Sequence, residues 1–224
     1  MKSKIYDCVT FFDNNLMFDL RYNILKNVVD FFVICESKFD HQGNEKKINF
    51  INKKNYDSKK IKYYILETPF PKNNNAWQNQ ALQRKFLLES LKNVNPDDYI
   101  FFSDPDEIPR PELLIDFSLK KKFGIFLQRC FNYKLNLFNP HESPWEGTRV
   151  AKKKYLKSID FMRQKIKSKN LNYSFLRFDK EKSVELFNEG GWHFNNVMDP
   201  KEISLKLKTF AHSEFSDPKF SDEQ

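Results

Sequence analysis

The sequence predicts an α/β domain with a mostly parallel central sheet flanked by helices and a less regular second half. Three observations carry that prediction. Apolar runs of strand length alternate with segments of helical period up to Leu119, two of those runs end in carboxylates, and the texture loosens afterwards. Strands separated by helices need crossover connections, and crossovers leave neighbouring strands parallel.

Ile5–Phe12 reads as the first strand. Met17, Arg21, Ile24 and Val28 then recur at helical spacing, with Asn14 or Asn15 placed to cap that helix. Phe31–Cys35 is a continuous apolar run, the pattern of a strand buried on both faces, and Glu36 closes it. Lys62–Leu66 is a weaker third strand bounded by Pro69 and Pro71; Trp77–Leu91 is a second helix and Tyr99–Ser103 a fourth strand. Pro111 opens a short helix reaching Leu119, proline standing where its missing N–H costs least. Gly124–Asn132 and Tyr133–Phe138 read as two tightly joined strands, followed by a loop through Gly147 that carries Pro144 and Trp145. A lysine-rich helical stretch, a strand near Tyr173–Phe178, the segment Gly190–Phe194 and a helix over Pro200–Phe210 complete the body. Residues 1–212 are expected to form one domain, and 213–224 a polar, frayed tail.

The chain has 224 residues, 40% of them hydrophobic, enough for one substantial core, and its 24 Phe imply an interior filled with rings. A net charge of +8 favours anionic partners, although runs such as Lys152-Lys153-Lys154 read first as solvated faces. Cys8, Cys35 and Cys130 are odd in number and far apart, which suits buried reduced thiols and speaks against a disulfide framework. No apolar run reaches the roughly 18 residues a membrane-spanning helix requires. With no signal-like segment ahead of Ile5, the chain reads as soluble and cytoplasmic.

The fourth strand ends in Asp104-Pro105-Asp106-Glu107. Buried strands rarely finish in clustered carboxylates without something positive beside them, because unpaired carboxylates repel and desolvate badly. The expected counter-charge is a divalent cation, Mn²⁺ or Mg²⁺, and the expected further ligand is a diphosphate. Pro105 presents Asp104 and Asp106 from a rigid turn. A cation held there would neutralise a departing nucleoside diphosphate. The blander alternative is a charge cluster ahead of the helix at Pro111. Ligands of open parallel sheets collect beyond the carboxyl ends of the strands, where Glu36 and the acidic turn both fall.

The block Ser103-Asp104-Pro105-Asp106-Glu107-Ile108-Pro109-Arg110-Pro111 resembles the signature of glycosyltransferase family 17, the group of the β-1,4-mannosyl-glycoprotein β-1,4-N-acetylglucosaminyltransferases. Three further blocks match in order: Asp19–Leu25 with Phe31–Glu36, Gly190-Gly191-Trp192-His193-Phe194, and Phe210–Phe215. The resemblance implies a GT-A type nucleotide-binding fold and an inverting transfer of a sugar, GlcNAc, from a UDP-sugar donor to a glycan acceptor. It places Asp106 on the cation and Asp104 on the ribose or a metal-bound water. His193 is the expected third metal ligand, with His212 a weaker rival.

Inversion needs a base for the acceptor hydroxyl, and Glu146 and Glu107 are the candidates. Trp145 beside Glu146 would suit a sugar-stacking wall, so Glu146 is preferred and Glu107 reads as a support of the turn. Arg21 and Arg84 stand on core-facing helical stripes, where a guanidinium needs a carboxylate or phosphate: the acidic cluster or the diphosphate. Phe11, Asp13 and Glu36 are the expected neighbours of uracil and ribose. A nucleic-acid partner is not expected, because Pro105 cannot continue the central strand from which nucleotidyl-transfer enzymes project paired aspartates. That enzyme class and an inactive sugar-binding module are the competing readings.

Overall fold

Through the first half of the chain, the computed structural model, which describes residues 2–209, follows the alternation expected from the sequence. Its elements there are β1 (Ile5–Phe11), α1 (Asn15–Leu25), β2 (Phe31–Ser37), β3 (Ile61–Leu66), α2 (Ala76–Ser90) and β4 (Tyr99–Ser103). The four strands are parallel, in the order β3-β2-β1-β4. The short strand β5 (Glu107–Pro109) follows the acidic turn, and β6 (Phe123–Asn132) and β7 (Trp145–Lys152) form an antiparallel pair that joins the sheet through β7 on β4. The far edge of β6 is shared. β8 (Val184–Phe187) runs parallel to its first half and β9 (Gly191–Asn195) parallel to its second, with β5 antiparallel on β9. Helices α3 (Ile159–Lys165) and α4 (Pro200–Thr209) complete the list of elements.

Alternation along β1 sorts the core into two layers. Ile5, Val9 and Phe11 pack with Met17, Phe18, Tyr22 and Leu25 of α1 on one face. Tyr6 and Cys8 pack on the other face with Leu87 of α2 and with Ile159 and Met162 of α3. Asn14 caps α1, its side-chain oxygen accepting from the Met17 N–H at 2.9 Å, and Asn75 with Gln78 forms a capping box at α2. The connection over residues 38–60 lays Phe50 and Tyr56 edge-on against Phe18, closing the outer side of α1.

Arg21 occupies the buried stripe of α1 with no exposure. Its Nε and Nη2 donate to the two carboxylate oxygens of Asp7 at 2.7 and 2.5 Å, Nη2 also donates to Ser103 Oγ at 2.9 Å, and Nη1 donates to the Glu107 carbonyl at 2.5 Å. One side chain thus ties α1 to β1, to the end of β4 and to the acidic turn.

The second half departs from the sequence expectations in several places. Tyr133–Phe138 is not a full strand: Tyr133 adopts φ +66 and donates its N–H to Asn195 O, and the fold-back onto β6 is limited to one antiparallel bridge, Phe131 with Phe138, flanked by Asn132 N–H to Leu137 O at 3.0 Å and Asn139 N–H to Cys130 O at 2.8 Å. The antiparallel partner is instead Trp145–Lys152, which puts Trp145, Glu146 and Gly147 on a strand rather than a loop. Residues 173–178 form no strand, because β8 already takes the available edge of β6. The helix from Pro111 is a single 3-10 turn ending at Leu114, and the lysine-rich stretch is helical in pieces: a 3-10 turn at Lys153–Tyr155, then α3, then a 3-10 turn at Ser168–Asn172.

Replacing Asp7 by Ala would leave the Arg21 guanidinium unpaired inside the core, and a loss of about 3–5 kcal/mol in unfolding free energy is expected. Urea denaturation measures it, and a loss within about 0.5 kcal/mol would show that the pair does not organise this layer.

Candidate active site

β4 is buried throughout and delivers the acidic turn at its carboxyl end. The turn closes on itself: Glu107 N–H donates to Asp104 O at 3.0 Å, while Asp104 N–H donates to Glu107 Oε2 at 3.1 Å. The chain then enters β5, where Glu107 stands opposite His193, Ile108 opposite Trp192 and Pro109 opposite Gly191. That approach depends on glycine. Gly191 sits at φ +124, and a Cβ there would run into the Ile108 carbonyl. Phe194 N–H donates to Asp106 O at 2.8 Å, completing the union of turn and β9.

From this one turn the carboxylates diverge. Asp104 and Glu107 point to arginines. Arg163 Nη2 reaches Asp104 Oδ2 at 2.6 Å and Glu107 Oε1 at 2.5 Å, and its Nη1 donates to Glu107 Oε2 at 3.1 Å. Arg84 Nη2 lies 3.6 Å from Asp104 Oδ1 while its Nη1 donates to Asp160 at 3.0 Å. Burial alone would raise the Asp104 carboxyl, but Arg163, then Arg84 and His193, outweigh it and hold the group down at about 2. Burial likewise works against the charge of Arg163, and its two carboxylate partners more than restore it.

Asp106 points the other way. Its Oδ1 lies 3.7 Å from His193 Nε2 and its Oδ2 3.5 Å from Lys206 Nζ, a residue of α4. The His193 ring stacks on Trp145 with centroids 4.6 Å apart, and Trp145 Nε1 donates to Glu107 Oε1 at 2.7 Å. Behind the imidazole, Cys130 Sγ is 3.6 Å from His193 Nδ1 and 3.1 Å from Glu142 Oε2. Burial first, and Glu142 second, push that thiol up to about 12.

Arginines serve Asp104 and Glu107, while of the three carboxylates Asp106 lies nearest the imidazole nitrogen of His193. Among the described residues, no three His, Cys, Asp or Glu side chains converge as a metal cage. The pair that does meet, a carboxylate and an imidazole, suits an ion such as Mn²⁺ that keeps positions for water and phosphate. The Lys206 ammonium beside Asp106 marks the place as one where positive charge is accommodated. His212 lies outside the described residues.

The remaining candidates are placed as follows. Arg84 takes the acidic-cluster alternative through Asp104, whereas Arg21 finds its carboxylate in Asp7 and reaches the turn only through the Glu107 carbonyl. Phe11 is core, edge-on to Phe50, so its ring offers no face to a base. Glu36 is fully buried and its oxygens are consumed by Lys46, the Asn49 and Phe50 N–H groups and Tyr63 OH, which gives it the task of anchoring residues 46–50. Asp13 is exposed at the end of β1; partial desolvation raises its carboxyl, Lys46 opposes, and Glu202 and Glu36 add to the rise. Trp145 stacks one face on His193 and donates its N–H to Glu107 while staying partly exposed. Glu107 has no exposure. Glu146 keeps 27% exposure, accepting from Arg149 Nη2 at 3.0 Å, from Ser168 N–H at 3.1 Å and from Ser168 Oγ.

Sequence reasoning missed Arg163, Arg149 and Cys130. Arg163 had a signal: it stands four residues after Ile159 and three before Ile166, the stripe pattern that singled out Arg21. Arg149 and Cys130 lie on strands of the irregular half, where alternation gave no comparable warning. Arg149 is buried beneath Glu146, donating to the Glu146 and Gly147 carbonyls, and burial followed by Arg163 lowers it to about 10.

Asp104 ionises at about 2 in the folded protein, against about 3.9 for an unperturbed aspartate. Its ionised form therefore contributes stability above about pH 4, and that contribution drains away as pH falls towards about 2. Asp104→Asn should flatten the acid side of the stability profile in this window, measured by urea denaturation at successive pH values. An unchanged acid slope would remove Asp104 from the arginine clamp.

The model of glycosyltransferase family 17 matches residues 1–223. The human β-1,4-mannosyl-glycoprotein 4-β-N-acetylglucosaminyltransferase is 33% identical over 104 residues, which are 42% of this chain and 19% of that protein. The rat enzyme of the same name gives the same identity and coverage. The matched part thus spans about a fifth of the length of these curated relatives. Among solved structures, HddC from Yersinia pseudotuberculosis superposes with a TM-score of 0.45 at 11% identity, covering 84% of this chain and 91% of that one. Glucosyl-3-phosphoglycerate synthase from Mycobacterium tuberculosis, solved with Mn²⁺, UDP and phosphoglyceric acid, gives 0.41 at 11% identity, covering 96% and 78%. With the family model matched along residues 1–223, the chain belongs to glycosyltransferase family 17.

Proposed function

We propose that this chain is a GT-A type, metal-dependent glycosyltransferase that moves a sugar, GlcNAc, from a UDP-sugar to a glycan hydroxyl with inversion. The observation that carries the reading is the division within the acidic turn. Two of its carboxylates are clamped by arginines, and the third, Asp106, is aimed at His193 at the carboxyl end of the sheet. Family membership supports the reaction class, and the relatives' names support the sugar.

In this reading Asp106 and His193 hold the Mn²⁺ or Mg²⁺, and Trp145, stacked under the imidazole, keeps its ring in plane. Bound there, the ion supplies positive charge to the departing diphosphate. Asp104, fixed by Arg163 and Arg84 yet 31% exposed, presents its open side to the donor ribose. Asp13 lines the same edge at the end of β1. Glu146 is the base that takes the acceptor proton, its carboxylate oriented by Arg149 and Ser168. Glu107 positions the others: it closes the turn, anchors Trp145 and receives Arg163. Arg21 and Glu36 act at one remove, by holding the turn and the 46–50 loop.

Asp106→Ala should abolish metal-stimulated UDP-sugar hydrolysis with the urea midpoint little changed, and His193→Ala should move the Mn²⁺ titration to higher concentration. Unchanged hydrolysis in the first variant, or an unmoved titration in the second, would refute the assignment. Glu146→Gln should slow sugar transfer about 100-fold or more while UDP binding, read by calorimetry, stays intact. Transfer within about threefold of the parent protein would place the base elsewhere.

A further inference from the structure

Between α3 and β8 the chain makes an excursion that exposes what most proteins bury. Phe175 is 79% exposed, Leu176 63% and Phe178 88%, three bulky apolar side chains within four residues. Scattered apolar residues on a surface need no explanation, but a contiguous cluster does.

The excursion is built, not slack. Asn170 is buried at its base, where its amide donates to Lys165 O at 2.8 Å and to Glu181 O at 3.2 Å, pinning the two ends together. Inside the loop, Lys182 Nζ bonds to Ser174 O, and Arg177 forms a two-pronged pair with Asp179 at 2.7 and 2.8 Å. These bonds hold the loop's polar groups to one another while Phe175, Leu176 and Phe178 stand exposed.

Charge indicates what the tips meet. Residues 165–182 carry six Lys or Arg against Asp179 and Glu181, a surplus of four, half of the +8 of the entire chain. A second basic segment lies against the loop's base: Lys122 N–H donates to Ser183 Oγ at 3.0 Å, and Lys120, Lys121 and Lys122 are all exposed. Aromatic and aliphatic tips ringed by ammonium and guanidinium groups match an interface whose outer layer is anionic and whose interior is apolar. A nucleic acid would use the charge but has no place for Leu176, since base stacking requires rings.

We propose that the loop over residues 171–180, with the basic surround of Lys165, Lys169 and Lys120–Lys122, docks this protein on an anionic lipid surface. Phe175, Leu176 and Phe178 enter the boundary of the acyl chains while the lysines engage headgroup phosphates. None of the apolar tips belongs to the acidic turn, and the proposal stands whether or not the sugar-transfer reading does.

Vesicle sedimentation of the full chain tests this, comparing phosphatidylcholine alone with an equal mixture of phosphatidylcholine and phosphatidylglycerol. Binding to the mixture and not to phosphatidylcholine alone is expected. The Phe175→Ser plus Phe178→Ser variant should weaken it about tenfold or more, and added salt should weaken it further. Phe178→Trp should show a blue-shifted emission on adding the mixed vesicles. Absence of vesicle binding, equal binding by the double-serine variant, or an unshifted tryptophan would each overturn the proposal. So would a lowered urea midpoint in the double-serine variant, since those rings would then be packed against protein. Preferential binding of RNA with no affinity for vesicles would assign the surface to a polyanion instead.

Discussion

The structure is organised by the neutralisation of carboxylates at the end of its central strand. Asp7, Asp104 and Glu107 lie in or beside the core, where an unpaired ionised carboxylate is strongly disfavoured. Helices α1, α2 and α3 each send one arginine to this carboxylate network: Arg21, Arg84 and Arg163. The helices are therefore fixed to the sheet by charge geometry as well as by apolar packing. Removing one member leaves its partner stranded, which is why such a network specifies an arrangement more than it adds net stability.

The same network sorts three chemically similar residues into different tasks. Asp104 and Glu107 give up their oxygens to guanidinium groups, Glu107 so completely that it has no exposure. Asp106, two residues beyond Asp104, is carried to the opposite side by the turn and meets His193 across the β5–β9 ladder. That ladder exists because Gly191 lets β9 approach β5 backbone to backbone, while a Cβ on Gly190 would run into Phe126 and Leu127 of β6. A site is thus left with one oriented carboxylate and one imidazole, the imidazole backed by Trp145 and Cys130.

The first half of the fold was legible in the sequence because its cues are local. Hydrophobic period, Asn14 at a helix start and the abrupt end of Tyr99–Ser103 all act over a few residues, and the corresponding elements lie within a residue or two of expectation. The second half was not. Trp145–Lys152 looked like the end of a loop because its pairing with β4 and β6 is what makes it a strand, and Tyr173–Phe178 had strand composition but no edge to join.

For the site, the sequence by itself determined that acidic residues cluster at the end of a buried strand, that glycine precedes a Trp-His-Phe segment, and that Arg21 and Arg84 need anionic partners. Only the tertiary structure decided which carboxylate each cation meets. Arg163 reaches Asp104 across 59 positions and Glu107 across 56, while His193 reaches the turn along a different strand. Charges are written into the chain one residue at a time, but their pairing is settled by distances that exist after the sheet and its three helices have packed.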